Sequence, residues 1–331
     1  MGNILILINS SGLGGAETVV LEILKKTKNS CFCLKKDKID RFSKFSKKIY
    51  FGTKKNWYKL NPFILLKLIK CIKKNKITTI HVHLANSLIY ALILKKLIPS
   101  IKIIYHEHGE IFYNFRLRLL LALFNKEINL IIAVSKTTKK ELLKKSKLPS
   151  RKIKVLYNFV NLSKFNPKKI KKIRKKLNLS TNKLRIGFSG RLTKIKGCEY
   201  LIRALSKLNF NYTCLIAGDG ELKKDLKKLA KSKKIQDKIL FLGYQKNMIK
   251  FYSSIDILVI PSLSESFGMS LIEAQASGVP IIASNIPAFE ELTKPLKSGI
   301  LFKTRDSNDL GLKINSYYYN KKLHSRLIAQ G

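Results

Sequence analysis

The pattern that most restricts this chain is an alternation, from end to end, of short apolar runs with amphipathic stretches of helical length. Runs at 3–9, 30–34, 77–83, 101–106, 129–134 and 152–157 read as buried strands. A second set occupies 184–189, 212–217, 238–242, 256–260, 279–284 and 299–302. Helical stretches fill the gaps, among them 16–28, 62–74, 136–145, 197–208, 221–231 and 268–277. Parallel strands need a long crossover, and the crossover helix covers the sheet, so their strands are apolar throughout. The fold class is therefore α/β, with doubly wound parallel sheets. Between the two sets lies a polar, Lys-rich segment, 161–182, containing Pro167 and a short helical stretch. It divides the chain into an N-terminal domain, 1–163, and a C-terminal domain, 164–331. The length of 331 residues suits two such domains, and two α/β halves joined there are expected to leave a cleft.

Open α/β sheets bind ligands beyond the carboxyl ends of their strands, so the loops there are where functional residues are expected. The richest runs from Pro261 to Pro280. Glu265 sits in the loop after a strand, Phe267-Gly268-Met269 opens a helix, Glu273 lies inside that helix, and Gly278 closes it. Free amides at a helix N-terminus suit an anion such as a diphosphate. Carboxylates suit hydroxyl groups. A site wanting both points to a nucleotide-sugar.

Other strand ends add to this. In Gly190-Arg191-Leu-Thr-Lys194-Ile-Lys196-Gly197, two cations stand just ahead of a helix N-terminus, which is electrostatically odd unless an anion binds between them. Two solvated charges in a Lys-rich chain are the plainer reading. Ala217-Gly218-Asp219-Gly220-Glu221 reads equally as a ligand loop or a helix cap. The first loop, Gly12-Leu-Gly14-Gly15, follows a strand and opens a helix, as a phosphate-binding turn does, although a simple tight turn also accounts for it. As a dinucleotide fingerprint it fails in spacing, and Cys33-Leu34-Lys35 stands where a ribose-binding acid would. Four of the five histidines fall in His81-Val-His83 and His106-Glu-His108. Zinc would call for further ligands at helical or loop spacing, and none is evident. Polar contact with a ligand is the reading for this group, with His81 and His106 structural, and no metal is expected.

The formal charge is +46. Ten of the 66 basic residues are Arg, leaving 56 Lys, spread over nearly every helix face. Abundant Lys, Ile and Asn fit an adenine/thymine-rich coding sequence, and the scatter argues against a nucleic-acid patch. Attraction to an anionic membrane surface is the alternative. Residues 60–74 and 112–126 combine apolar faces with basic residues and suit a membrane interface, or simply pack on a sheet. No run approaches 18 uncharged apolar residues. The first residues read as a core strand and not as a signal peptide. The five cysteines show no zinc spacing and read as reduced and buried, with Cys31 and Cys33 on one side of a strand.

Taken together, these motifs resemble the family-four retaining glycosyltransferases of the GT-B fold (glycosyl transferases group 1). Glu265 and Glu273, with seven residues between them, match the family's Glu-x-seven-Glu signature. Gly190-Arg191-Leu with Lys196-Gly197, Gly14-Gly15-Ala-Glu, His108-Gly109, and Tyr157-Asn158-Phe-Val-Asn161 match further elements in family order. The resemblance covers nearly the whole chain. It implies two Rossmann-like domains and transfer from a nucleotide-sugar, UDP-sugar favoured, with no metal and no other cofactor. It implies that Arg191 and Lys196 hold the donor diphosphate, Glu265 the sugar hydroxyls and Glu273 the ribose. Gly14, Gly15 and the amides of Phe267, Gly268 and Met269 would approach the phosphates or the sugar, and His108 the donor sugar. His108, Arg191, Lys196 and Glu265 are thus the catalytic candidates. The implied acceptor is a lipid-linked or surface glycan of a bacterium, and the implied location the cytoplasm, peripheral to the inner face of its membrane.

Two departures stand out. Asn158-Phe-Val-Asn161 lacks the family's glycine and acid, and the chain stops at Gly331, where family members continue into a crossover helix. A degenerate or truncated non-catalytic relative is one alternative reading, and a nucleotide-sugar 2-epimerase on the same fold another.

Overall fold

The structure is a computed structural model that describes residues 3–12, 14–27, 29–43, 48–53, 60–146, 148–177, 182–295, 297–320, 322–323 and 326–327. The last four residues, on which the expectation of a missing crossover helix bears, lie outside the described residues. The chain divides into two compact units, Met1–Phe159 and Val160–Gly331.

The first unit runs β1 (Asn3–Ser10), α1 (Gly15–Lys26), β2 (Ser30–Lys35), β3 (Ile49–Thr53), α2 (Pro62–Lys74), β4 (Ile77–His83), α3 (Ala85–Leu97), β5 (Lys102–Glu107), α4 (Phe115–Leu123), β6 (Leu130–Ala133), α5 (Lys136–Ser146) and β7 (Ile153–Val155). All strand pairings are parallel, in the order β3-β2-β1-β4-β5-β6-β7. Period-two alternation splits the strands between two cores. Leu5 and Leu7 enter the larger cluster with residues of α2, α3, α4 and α5, whereas Ile6 and Ile8 pack with α1. Cys31 and Cys33 share that second face with their sulfurs 4.0 Å apart, and all five cysteines are free and buried.

The second unit runs α6 (Pro167–Lys176), β8 (Leu184–Ser189), α7 (Cys198–Leu205), β9 (Tyr212–Ala217), α8 (Lys223–Ser232), β10 (Ile239–Gly243), α9 (Met248–Ser253), β11 (Ile257–Ile260), α10 (Met269–Ala276), β12 (Ile281–Ser284), α11 (Pro287–Thr293), β13 (Ile300–Phe302) and α12 (Ser307–Tyr319). Its parallel sheet has the order β10-β9-β8-β11-β12-β13. Every residue of β11 and β12 is buried, as a central strand covered on both sides must be. Helices α7, α8 and α12 cover one face and α6, α9, α10 and α11 the other.

The expected α/β class and doubly wound topology are what the structure shows. Helix α2 begins and ends where the sequence places it, because Asn61 accepts the amide of Phe63 as an N-cap and Pro62 suits the first helical position. Asn114, Asn166, Asn247 and Asp306 start α4, α6, α9 and α12 in the same way. Strand β3 was not anticipated. It is an edge strand of only five residues, mostly half-buried, so it lacks the continuous apolar run that marks the others. The Lys-rich segment between the two strand sets holds α6, which is anchored in the second unit. Arg174 pairs with Asp256 and donates to the Ile255 carbonyl at 2.6 Å, and Arg185 meets the same carboxylate at 3.1 Å.

Candidate functional site

In both sheets the first and fourth strands of the unit are neighbours and their connections leave in opposite directions. That is the topological switch point at which doubly wound sheets bind ligands. In the second unit it lies between β8 and β11.

Three loops meet at these strand ends and are laced by backbone hydrogen bonds. The Gly190 amide donates to the Ala217 carbonyl, the Leu192 amide to Asp219, and the Leu263 amide to Ile195 across to the β11 loop. Gly197 is what lets the β8 and β11 loops press together. Its φ is +62°, and a Cβ there would stand 2.0 Å from the Pro261 carbonyl oxygen. Gly268 plays the same part at the start of α10, with φ +99° and the Phe289 ring 2.5 Å from where its Cβ would be.

This packing brings together side chains far apart in sequence. Lys196, in a short 3-10 turn ahead of Gly197, pairs with Glu265 (Nζ to Oε1, 2.5 Å), and the Ser262 hydroxyl donates to the same oxygen at 3.0 Å. The carboxylate is largely covered while the ammonium keeps some exposure (12% and 28%). An ammonium has three donors, so the pair leaves Lys196 able to bind an anion and Glu265 Oε2 able to accept hydroxyls. Arg191 is exposed on the β8 loop, with no hydrogen bond or ion pair from its guanidinium among the described residues. Phe267 is buried, so its side chain is not offered to a ligand. Gly268 and Met269 open α10, which carries no capping side chain. The Leu271 amide donates back to the Gly268 carbonyl at 3.0 Å, which leaves the amides of Met269 and Ser270 at a positive helix end.

Glu273 has a partner that sequence reading missed. The Tyr252 hydroxyl donates to Glu273 Oε2 at 3.0 Å from α9. Tyr252 is fully buried, and burial, then the Glu273 charge, push its phenol well above the usual tyrosine range. It stays a neutral donor that orients the carboxylate. Ser262 was also missed. Asp219 does not cap α8. Its carboxylate accepts the Gly220 amide at 2.9 Å and pairs with Lys223 at 2.8 Å.

In the first unit, Gly14 precedes α1 with extended backbone (φ −179°), and Gly15 is its first residue. Glu17, buried in that first turn, accepts the Ser10 hydroxyl at 3.0 Å. His108 follows β5, and its Nε2 lies 2.8 Å from His83 Nδ1. The neighbouring His81, His83 and His106 stack beside them, each offering a ring nitrogen within 4.8 Å of the others, the geometry of a metal-ligating group. Burial lowers all four imidazoles, His81 to about 4 and His108 to about 3. Glu110 accepts the Ala85 amide at the start of α3 at 2.5 Å. Burial, then the charge of Glu107, push Glu110 up to about 7, against that hydrogen bond.

Two family descriptions divide the chain between them. Residues 13–164 match Glycosyltransferase Family 4, and residues 169–331 match Glycosyl transferases group 1. The chain is similar to an uncharacterised glycosyltransferase of Methanocaldococcus jannaschii, 36% identical over 179 residues that make up 51% of this chain and 46% of that protein. The match thus spans less than half of the relative's length. It is also similar to the UDP-Gal:alpha-D-GlcNAc-diphosphoundecaprenol alpha-1,3-galactosyltransferase of Escherichia coli, 28% identical over 257 residues, covering 73% of this chain and 66% of that one. Among solved structures, Anabaena HepE in complex with UDP and glucose superimposes with a TM-score of 0.87 at 21% identity, over 100% of this chain and 93% of HepE. At that identity the likeness speaks for the fold alone. With both halves matched in order, and with two doubly wound parallel sheets, the chain belongs to the group 1/family 4 glycosyltransferase superfamily and has the GT-B fold.

Proposed function

We propose that the chain is a retaining glycosyltransferase that moves a hexosyl or N-acetylhexosaminyl group from a UDP-sugar to a lipid-linked or surface glycan. The observation that carries this reading is the grouping at the β8–β11 switch point. Lys196 paired to Glu265, exposed Arg191 and the uncapped start of α10 supply cations and amides beside a carboxylate. A departing nucleoside diphosphate gathers negative charge on its phosphate oxygens, and fixed positive groups aimed there lower the barrier. Arg191 and Lys196 fill that role without a metal. Glu265 Oε2 would take sugar hydroxyls, and Glu273, held by Tyr252, the ribose. For His108, Gly14 and Gly15 we keep the roles implied by the resemblance. The names of the relatives support the donor and acceptor classes, since one binds UDP and glucose and another uses UDP-Gal with a diphosphoundecaprenol acceptor.

The acceptor class also agrees with two helices of the first unit. Among the described residues no helix is long and apolar enough to cross a membrane. Yet α4 presents Phe115, Leu119 and Leu123 to solvent at helical spacing, beside exposed Arg116 and Lys126, and α2 exposes Phe63 and Leu66 beside Lys67 and Lys70. Apolar anchors flanked by cations suit the headgroup region of an anionic bilayer. We place the enzyme at the inner face of the cytoplasmic membrane on this ground.

The test is a transfer assay with a panel of UDP-sugars and lipid-diphosphate-linked acceptors, with the anomeric configuration of the product read by NMR. Transfer with retention is expected. Conversion of the donor to an epimer without acceptor, or donor binding with no turnover on any acceptor of the panel, would refute the reading.

A further inference from the structure

Four imidazoles crowd one face of the first sheet, and the transfer reading uses only one of them. Their placement follows from two His-x-His sequences and a strand register. Residues two apart in a strand share a face. Ile80, Val82, Ile103 and Tyr105 enter the large apolar core, so His81, His83 and His106 are turned to the opposite face. Strands β4 and β5 are neighbours, with His83 directly opposite His106.

The rings are in contact. Centroids of His81 and His83 lie 4.4 Å apart, those of His83 and His106 5.1 Å, and those of His81 and His106 5.4 Å with the planes 5° from parallel. His83 and His106 are 0% and 2% exposed. Four buried nitrogens, His81 Nε2, His83 Nε2 and both of His106, have no hydrogen-bond partner among the described residues. Each such group left unbonded costs about 1–3 kcal/mol, and one ion could take a nitrogen from each of the three rings. Glu107 does not supply it, because its oxygens accept the Tyr105 hydroxyl and the amides of Gly109 and Ile111.

We propose that His81, His83 and His106 hold one first-row divalent metal ion, Zn²⁺ foremost. A set of three imidazole nitrogens suits that class. Zinc–nitrogen bonds of about 2.0–2.1 Å set tetrahedral ligand atoms about 3.3 Å apart. The three nitrogens now lie within 4.8 Å, so side-chain rotation closes the set. His83 is suited to the part, since its Nδ1 is engaged with His108 Nε2 at 2.8 Å and its Nε2 is left for the ion. That outer hydrogen bond fixes the tautomer, as the outer partners of metal-bound histidines do. The ion would in turn hold His108 as an acceptor through Nε2. This last consequence touches transfer only if His108 has the role given above, whereas the metal site does not depend on it. The ion would use none of the groups assigned to the diphosphate and leaves their metal-free chemistry as proposed.

The test starts from full-length protein stripped with a chelator, loaded with Zn²⁺, dialysed and measured by plasma mass spectrometry. One equivalent per chain is expected in the wild type, with a raised Tm, and its loss in His106→Ala and in His81→Asn. Less than one equivalent in the wild type, or a full equivalent retained by His106→Ala, overturns the proposal. Should His106→Ala fail to fold, Co²⁺-loaded wild type decides alone. Ligand-field bands without thiolate charge transfer support the site, and absent bands, or bands with thiolate charge transfer from the cysteines, overturn it. Neither readout uses enzymatic activity, so the outcome is separable from that of the transfer reading.

Discussion

At the scale of single residues, the proposed chemistry rests most on the Lys196–Glu265 ion pair. Replacing Lys196 by Ala removes a cation placed for the leaving group, and a fall in kcat of about 10²–10³-fold is expected, as for loss of one oxyanion donor. It also strands a mostly covered carboxylate, so the urea midpoint should fall as well. Glu265→Gln tests the other half and should keep the fold while lowering kcat/KM. Tyr252→Phe removes the donor that orients Glu273, at a cost of about 1 kcal/mol in stability. Its expected kinetic signature is a higher donor KM with a smaller change in kcat, read in steady-state assays. Gly197→Ala forces a left-handed residue and sets a methyl against the Pro261 carbonyl, so a loss of about 2 kcal/mol or more is expected in urea unfolding. Glu110 gives a pH signature. Its carboxyl is raised from 4.5 to about 7 in the folded protein. Between those values the unfolded chain releases the proton while the folded one keeps it, so this residue's contribution falls as pH rises through that window. The loss approaches about 3 kcal/mol above it. Glu110→Gln should therefore gain stability relative to wild type as pH rises from 5 to 7.5, measured by urea midpoints, and an unchanged difference would refute the assignment.

At the scale of elements, what was legible in the sequence was whatever local pattern controls. Helix α2 is bounded by Asn61-Pro62 and by its basic last turn, and strands β8, β9 and β4 stand where their apolar runs do, because propensity, capping and periodicity all act within a few residues. Strand β3 was illegible because its apolar run, Ile49-Tyr50-Phe51, is only three residues long before Gly52 interrupts it. The Asp219 loop read equally as a ligand loop or a helix cap, and its carboxylate pairs with Lys223 and does not cap α8, a choice between local partners that composition does not encode. The exposed apolar rows of α2 and α4 are also an element-scale matter, since only the packed structure says which face is left outside. Phe115→Ser with Leu119→Ser, and Phe63→Ser with Leu66→Ser, should lower co-sedimentation with anionic vesicles severalfold and leave binding of UDP unchanged. Equal vesicle binding by wild type and both double variants would refute the membrane reading.

At the scale of the whole molecule, each unit has its own sheet and its own cores, while the charge of +46 belongs to the chain at large. Dispersed like charges repel, and salt screens them. The Tm is expected to rise as ionic strength goes from about 0.01 M to about 0.15 M, over which the Debye length shortens from about 30 Å to about 8 Å, and calorimetry reads this directly. The sequence by itself determined the α/β class, the division into two sets of strands and the loops that carry Arg191, Lys196, Glu265 and Glu273, because apolar periodicity and glycine-punctuated strand ends are written residue by residue. Only the tertiary structure decided that Lys196 is neutralised by Glu265, that Tyr252 holds Glu273, and that two separate His-x-His sequences become one cluster of imidazoles. Those pairings depend on strand order and register, which arise from the packing of elements distant in the chain and leave no mark on the spacing of the residues they join.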